Sequence, residues 1–162
     1  MKICNRLAYV ILILLLLAIS PFIVPRVLGY TPYGILTDSM EPAYPVGSLI
    51  YVKYCEPESI KSGEVITFKL DVKSQQTATH RVISNMKDKR VFRTKGDHNE
   101  DQDSSPVAYE RVLGKVVSCI PMLGSFYAWL VSTVGIAVSV FLLGTVIILW
   151  VVEYKLKKEK SK

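Results

Sequence analysis

The segment SLIYVKYCEPESIKSGEVITFKL, residues 48–70, decides the fold class. It contains two runs rich in β-branched and aromatic residues, Ser48–Tyr54 and Glu64–Leu70, and turn residues that include Pro57 and Gly63 lie between them. Runs of this length and composition that are bounded by turn residues are typical of β-strands. The segment therefore predicts two strands joined by a turn-rich connection.

The same pattern continues toward the C-terminus. Thr77–Ile83 and Arg90–Lys95 have a similar composition, and an apolar run, Val112–Ile120, closes the region. Turn residues again separate the runs, and none of the intervening segments has a helical spacing of apolar residues. We predict an all-β domain over residues 26–125.

An uncharged run precedes this domain. Leu7–Val24 consists of 18 residues without a charge, which as a helix covers ~27 Å, close to the thickness of the hydrocarbon core. A cleavable signal peptide is the alternative, because Lys2 and Arg6 precede the run. However, the run is longer than an ordinary signal-peptide core, and Pro21 lies at the candidate cleavage point. We therefore expect an uncleaved anchor over residues 7–25.

A second uncharged run follows the domain. Residues 126–152 read FYAWLVSTVGIAVSVFLLGTVIILWVV and are long enough to cross a bilayer with some tilt. Aromatic residues lie at both ends, as in membrane proteins at the two interfaces. A buried core helix is the alternative, but the predicted β domain is too small to cover it. We predict a second transmembrane helix over residues 126–152.

The positive charge of the chain lies outside the two apolar runs. The net charge is +6, yet residues 7–152 hold 13 basic and 12 acidic side chains, so the excess comes from Lys2, Arg6 and five lysines of the C-terminal tail. This distribution follows the positive-inside rule and argues against a nucleic-acid partner. It predicts cytoplasmic tails at residues 1–6 and 153–162, an extracytoplasmic β domain, and the lipid bilayer as a partner.

The cysteines do not suggest a metal site. Cys4 falls in the N-terminal tail, whereas Cys55 and Cys119 fall in the β domain, and no CxxC pair or Cys/His cluster is present. We expect neither a metal nor another cofactor. A disulfide between Cys55 and Cys119 is an alternative to two unpaired thiols, and we favour the unpaired state.

Three segments hold residue types that serine peptidases use. Gly34–Pro42 contains Ser39, Thr79–Ile83 places His80 in a predicted strand, and Thr94–Asp103 combines a Gly-Asp turn with further carboxylates. These residues supply a nucleophile, a base and an orienting acid. A solvated serine and a histidine that only packs in the core are the alternatives, and a catalytic triad is recognised by geometry rather than by chain order.

The same segments resemble a known family. Thr37-Asp-Ser-Met-Glu-Pro42, Thr79-His-Arg-Val82 and Lys95-Gly-Asp-His-Asn99 are similar to the catalytic boxes of type I signal peptidases. The resemblance is to the branch of the endoplasmic reticulum, archaea and spore-forming bacteria, which has histidine where other bacterial enzymes have lysine. It covers most of Gly34–Val117. Thr37 and Asp38 depart from the more common Ser-Gly sequence of the family.

The resemblance implies a fold and an activity. The fold is a mainly β, signal-peptidase-like catalytic domain flanked by two transmembrane helices. The activity is that of a membrane-bound serine endopeptidase, which removes signal peptides from exported precursors and cuts after small residues at the −3 and −1 positions. Ser39 is the nucleophile, His80 the base, and the Ser39 N–H with the Thr37 hydroxyl the oxyanion hole. Four further residues shape and pack the motifs: Met40, Pro42, Arg81 and Gly96.

Two aspartates compete for the role of the acid that orients His80. We favour Asp103 as the partner of His80 and Asp97 as a brace of the site, and the reverse assignment stays open. A salt bridge to Arg81 is an alternative use of either carboxylate. His98 lies in a polar loop, and we expect it to be solvated.

The resemblance also suggests partners and a location. The partners are precursor proteins with signal peptides and the Sec translocation machinery, and the cell membrane of a prokaryote is favoured over the endoplasmic reticulum. Two other functions compete with a general signal peptidase. One is a specialised peptidase for a narrow set of exported proteins, and the other is a non-catalytic membrane assembly factor.

Overall fold

A computed structural model describes residues 2–160 of the chain, and these form two compact units. The first unit, residues 25–126, is built of β-strands. The second unit combines the residues up to 24 with those from 127 onward, and it is helical. The outermost positions of the predicted tails, residues 1 and 161–162, lie outside the described residues.

The β unit contains one antiparallel sheet of seven strands. Their spatial order is β1-β2-β7-β3-β4-β5-β6, and every pairing is antiparallel. The prediction of a mainly β domain between two apolar helices is confirmed. The strands are β1 (Tyr30–Gly34), β2 (Leu49–Lys53), β3 (Val65–Lys69), β4 (Thr77–Met86), β5 (Val91–Lys95), β6 (Val107–Ala108) and β7 (Val112–Ile120).

The core of the sheet comes from its central strands. Four consecutive residues are buried in β2 (Leu49–Val52) and in β3 (Val65–Phe68), so these strands are covered on both faces. Phe92 of β5 is 0% exposed and packs with Ile66 and Phe68 in the larger cluster. Burial of such apolar side chains is the main stabilising contribution to the unit.

A register shift and a close contact between strands depart from the regular geometry of the sheet. The pairing of β4 with β5 shifts between Val82 and Ser84, which is the geometry of a β-bulge. At Gly114 of β7, φ is +150° and an added Cβ would lie 2.3 Å from the carbonyl oxygen of Lys53. Only glycine allows β7 to approach β2 this closely.

The two cysteines of the β unit are free thiols. Cys119 lies opposite Ile50 in the β2–β7 ladder, whereas Cys55 follows the far end of β2. Cys55 therefore lies five residues, or about 16 Å of extended chain, beyond Ile50, the residue opposite Cys119. This exceeds the span of a disulfide.

The helical unit has three helices: α1 (Lys2–Val27), α2 (Leu123–Leu130) and α3 (Thr133–Lys160). Residues 5–27 and 133–158 are long and apolar enough to cross a membrane, and most of their side chains are exposed. The single helix predicted over residues 126–152 is interrupted after Leu130. The Ser132 hydroxyl donates to the Trp129 carbonyl and accepts the Gly135 N–H, so it ends one helix and caps the next.

Polar and aromatic contacts join α1 to α3. The backbone N–H and the side-chain amide of Asn5 each donate to the Glu153 carboxylate at 2.9 Å, and Glu153 is 4% exposed. The Lys157 ammonium lies 3.3 Å from the same carboxylate. One helical turn further in, the rings of Tyr9 and Trp150 meet edge to face. The start of α1 and the end of α3 are therefore adjacent.

An ion pair joins the start of β3 to β7. Glu64 accepts hydrogen bonds from the Lys115 ammonium at 2.8 Å and from the Lys61 N–H at 2.9 Å. The hydrogen bond from Lys115 is the largest cause that lowers the pKa of Glu64 below its ordinary value of 4.5, and the Lys61 N–H adds to it. A lowered folded-state pKa stabilises the fold above the unfolded value, and this contribution is lost as pH falls through the folded value.

We predict that Glu64→Gln lowers the melting temperature at pH 7 and has progressively less effect below about pH 4.5. A partly exposed pair contributes up to about 1 kcal/mol, or about 4–8 °C for a unit of this size. Thermal unfolding of the full chain in detergent at several pH values measures the effect. Glu58→Gln is the matched control, because the Glu58–Arg90 pair is largely exposed. An equal effect of Glu64→Gln at pH 3 and pH 7 would contradict the prediction.

Candidate active site

Ser39 lies in a short 3₁₀-helix, Asp38–Met40, that follows β1. Met40 is 1% exposed and anchors this turn in the β unit, while its carbonyl accepts the Tyr44 N–H at 2.9 Å. Ser39 itself is only partly buried. The buried methionine therefore holds the serine at the surface in a fixed backbone conformation.

His80 projects from β4 toward Ser39. Its Nε2 lies 3.3 Å from the Ser39 Oγ, and its Nδ1 lies 2.7 Å from the Asp103 Oδ2. The ring of Phe68, on the neighbouring strand β3, meets the imidazole edge to face. When Nδ1–H donates to the carboxylate, Nε2 has its lone pair available for the serine proton.

Asp103 follows the loop after β5 and is fixed at that strand. Its N–H donates to the Thr94 carbonyl at 2.9 Å, and the Thr94 hydroxyl donates to its Oδ2 at 2.6 Å. The side chains of His80 and Asp103 are 15% and 19% exposed, so solvent screens their interaction only partly. The structure thus brings Ser39, His80 and Asp103 into one hydrogen-bonded chain.

Asp97 pairs with Arg81 instead. The Arg81 Nε and a terminal nitrogen donate to the two Asp97 oxygens at 2.8 and 2.6 Å, and the other terminal nitrogen donates to the Gly63 carbonyl at 2.7 Å. The hydrogen bond to Asp97 is the main reason that the pKa of Arg81 is raised. This bidentate pair fastens the loop after β5 to β4, beside His80.

The turn around Gly96 also contacts the serine. The His98 N–H donates to the Ser39 carbonyl at 2.9 Å, whereas the His98 side chain is exposed. A Cβ on Gly96 would lie 2.6 Å from the Ser39 carbonyl oxygen and 2.7 Å from the Asn99 amide nitrogen. The absence of a side chain at Gly96 therefore allows the turn to lie against the serine backbone.

The remaining motif residues surround the serine. The Thr37 hydroxyl lies 3.4 Å from the Ser39 Oγ, on the same side as the groove described below. Pro42 follows a cis peptide bond and is exposed, so it shapes the turn rather than packing in the core. Asp38 is exposed and does not line the groove, and nothing in the structure explains the carboxylate at this position.

A groove of about 510 Å³ opens beside Ser39 and His80. One wall consists of residues 33–37 with Met40, and the other consists of residues 75–80 with Leu70. Strand β1 lies at one end of the strand order and pairs only with β2 among the described strands. An extended segment therefore has both a cavity and a free strand edge next to the serine.

The site contains the parts for acyl transfer through a serine. A hydroxyl, an imidazole and a carboxylate are aligned, and the Thr37 hydroxyl lies beside the Ser39 Oγ. Among the described residues, no group of three or more His, Cys, Asp and Glu side chains is arranged to hold a metal ion.

Two contributors to the site were not identified from the sequence. Phe68 lies inside a run that was interpreted only as a strand, and Thr94 begins the Thr94–Asp103 segment but was given no role in it. Both residue types are ordinary strand formers. Thr94 directly precedes the Lys95–Asn99 box, which is a weak signal that a reader of the sequence could have used.

Comparisons with known proteins place the chain among signal peptidases. Residues 4–98 match the family described as signal peptidase, peptidase S26. Signal peptidase I W of Bacillus subtilis (strain 168) is 37% identical over 123 residues, which cover 69% of this chain and 64% of that protein. The catalytic subunit SEC11 of the signal peptidase complex of Ogataea parapolymorpha is 30% identical over 109 residues, 56% of this chain and 61% of that protein.

A mammalian relative gives a shorter match. The human signal peptidase complex catalytic subunit SEC11C is 38% identical over 72 residues, 43% of this chain and 37% of that protein. The matches thus span less than two thirds of the length of each of these relatives. The family match ends at His98, so it includes Ser39 and His80 but not Asp103.

We predict that Gly96→Ala destabilises the β unit. The added methyl group would overlap the Ser39 carbonyl, and overpacking of this kind costs about 1–3 kcal/mol. Thermal unfolding in detergent measures the loss. Gly34→Ala is the control, because an added Cβ there meets no atom within 4 Å. Equal melting temperatures for Gly96→Ala and Gly34→Ala would contradict the close contact.

Proposed function

The chain belongs to the signal peptidase family, peptidase S26, and on this premise we propose that it removes signal peptides from exported precursor proteins as a membrane-bound serine endopeptidase. The alignment of Ser39, His80 and Asp103 beside an open groove is the observation that carries the proposal. We assign Ser39 as the nucleophile, His80 as the general base and Asp103 as the acid that orients it. Asp97 acts as a brace through Arg81.

The proposed reaction proceeds through an acyl-enzyme. The Ser39 Oγ attacks the scissile carbonyl carbon while His80 Nε2 takes the hydroxyl proton. The Ser39 N–H and the Thr37 hydroxyl stabilise the oxyanion, and Asp103 stabilises the imidazolium. His80 then protonates the leaving amine, and a water molecule activated by His80 hydrolyses the ester. The 3.3 Å separation of Nε2 and Oγ is ordinary for a site without substrate.

The strand edge beside the groove supports an extended substrate. The Ile35 N–H and carbonyl are bonded to the β2 side, to Ser48 and Gly47. Because backbone groups alternate along a strand, those of Gly34 and Leu36 face the other side, where the groove lies. A peptide that adds there presents every second side chain to the enzyme, which accounts for a requirement at −3 and −1. We propose small residues at both positions.

The helical unit supports a two-pass topology. The two apolar helices and the family identify a membrane protein. The contact of Asn5 with Glu153 brings the start of α1 to the end of α3, so both chain ends belong on one side of a bilayer. Since the lysines also lie at these ends, we propose that this side is the cytoplasm and that residues 26–125 are extracytoplasmic. We favour a prokaryotic cell membrane, with the Sec translocation machinery as the source of precursors.

The test of the activity is cleavage of a precursor by the purified chain in detergent. We expect a cut after a small residue, loss of cleavage in Ser39→Ala, and a fall in kcat/KM at acidic pH, because protonated His80 cannot accept the serine proton. We expect Asp103→Asn to lower kcat by up to ~10⁴-fold with little change in melting temperature. Asp97→Asn, in contrast, lowers both, because it breaks the pair with Arg81.

Each alternative gives a different result in the same assay. Cleavage by neither the wild type nor Ser39→Ala would favour the non-catalytic assembly factor, and equal cleavage by both would remove Ser39 from the mechanism. The opposite behaviour of the two aspartate variants would exchange their roles. If neither aspartate matters, the site is a Ser39–His80 dyad. Cleavage of only one precursor from a panel with equally small −1 and −3 residues would favour the specialised peptidase.

The test of the topology is protease protection in sealed vesicles. We expect trypsin added to the extracytoplasmic face to cut the β unit and to leave the C-terminal lysines uncut. An epitope tag after residue 162 reports the surviving tail, and vesicles opened with detergent serve as the control. Loss of the tag in intact vesicles would contradict the proposed orientation.

A further inference from the structure

We propose that Thr94 is a positioning residue, whose hydroxyl fixes the Asp103 carboxylate so that it can orient His80. This inference rests on the proposed function of Ser39, His80 and Asp103. Thr94 touches neither Ser39 nor the imidazole in the hydrogen bonds of the site, so its effect on catalysis passes through Asp103.

The geometry around one carboxylate oxygen carries the proposal. Asp103 Oδ2 accepts from the Thr94 hydroxyl at 2.6 Å and from His80 Nδ1 at 2.7 Å. A carboxylate oxygen has two lone-pair directions, and two donors at these distances occupy both. The hydroxyl therefore sets the rotation of the carboxylate, and this rotation aims the second lone pair at the imidazole.

The position of Thr94 in the sheet makes it a rigid reference for Asp103. Thr94 is 1% exposed and lies opposite Val82 on β4, two residues along the strand from His80. Its carbonyl also accepts the Asp103 N–H at 2.9 Å. Thr94 thus holds both the backbone and the side chain of Asp103, while the intervening residues 96–102 form a loop. Without the hydroxyl, only the loop and His80 would fix the carboxylate.

Solvent cannot replace this hydroxyl easily. Because the Thr94 side chain is almost fully buried, valine at this position puts a methyl group where the hydroxyl was and leaves no room for water. A hydrogen bond to a charged group is stronger than a neutral one and costly to remove. We therefore expect Thr94→Val to leave Asp103 in place but free to rotate.

The kinetic experiment compares three variants of the full chain in detergent. For Thr94→Val we expect kcat to fall roughly 10- to 100-fold with KM nearly unchanged, and for Thr94→Ser we expect kcat near that of the wild type. Tyr109→Phe is the control. This variant also removes a buried hydroxyl, which donates a hydrogen bond to Asn85, five residues along β4 from His80. It therefore shows how the loss of a buried hydroxyl affects stability when the active site is left unchanged. Melting temperatures are recorded for all three.

Nuclear magnetic resonance gives a readout that does not depend on cleavage. The chain has only two histidines, so His98→Asn leaves His80 as the single source of imidazole signals. In this background, we expect the low-field Nδ1–H proton of His80 to be retained with Thr94→Ser and with Tyr109→Phe. We expect it to shift or broaden with Thr94→Val, because the carboxylate that accepts it is no longer fixed.

The results separate the inference from the proposed function. Folded Thr94→Val protein with wild-type kcat and an unchanged Nδ1–H signal would overturn the role of Thr94, whereas the peptidase activity would stand. A fall in kcat that Thr94→Ser fails to rescue would also overturn it, because the hydroxyl would then not be the cause. If the wild type cleaves no precursor, the proposed function fails, and the Nδ1–H signal alone decides whether Thr94 fixes Asp103.

Discussion

The Ser39 carbonyl lies against the backbone of Gly96 and accepts the His98 N–H, and the residue between these two, Asp97, is paired with Arg81. A single turn is thus fastened to the nucleophile on one side and to the strand of the base on the other. Both attachments are direct backbone or charge-assisted bonds, so a small displacement of the turn changes the distance between Ser39 and His80. The geometry of the whole site depends on this close contact.

The site combines a rigid part with a part that depends on loops. His80 and Thr94 belong to paired strands, and their positions follow from the register of β4 and β5. Ser39 and Asp103 lie outside the strands. Asp103 is fixed by bonds to Thr94 of β5, whereas Ser39 accepts its backbone bond from His98 in the loop after β5. Fixing the backbone of one loop residue costs about 1–2 kcal/mol of conformational entropy. The bonds that fasten the two loops offset this cost, whereas in the strands the pairing with neighbouring strands offsets it. Such an arrangement tolerates change in the exposed loop residues more easily than at Gly96, Asp97 or Thr94.

Much of the fold could be predicted from local patterns, because apolar runs of this length have few structural options. Five of the six strands after residue 48 end within three residues of the predicted runs, whereas the two-residue strand β6 was not predicted. Strand β1 was missed because Pro32 and Gly34 indicate a turn, and an edge strand can accept both residues since one of its sides needs no partner. The break between α2 and α3 at Ser132 was missed because the apolar run continues on both sides of it. A single serine in such a run does not indicate a break, since helices often contain serine.

The candidate site residues could be found from sequence motifs, but their pairing could not. Asp97 and Asp103 lie in one polar loop. Their spacing in the sequence does not show which of the two carboxylates pairs with Arg81 and which with His80. That choice follows from the path of the loop, which the contact at Gly96 and the bonds of Thr94 determine together. Thr94 gave only the weak signal of its place before the Lys95–Asn99 box, since a threonine in a strand usually needs no explanation beyond the strand.

The bond between Asn5 and Glu153 has a consequence for how the chain is made. Asn5 lies in the first turn of α1, and its side-chain amide donates to a carboxylate from the last turns of α3. A ribosome finishes α1 long before it reaches residue 153. Throughout that interval, water must satisfy the Asn5 side-chain amide, because an unpaired polar group is costly in hydrocarbon. The start of α1 has to wait in the hydrated interface, and the helix pair closes only after residue 153 has been made.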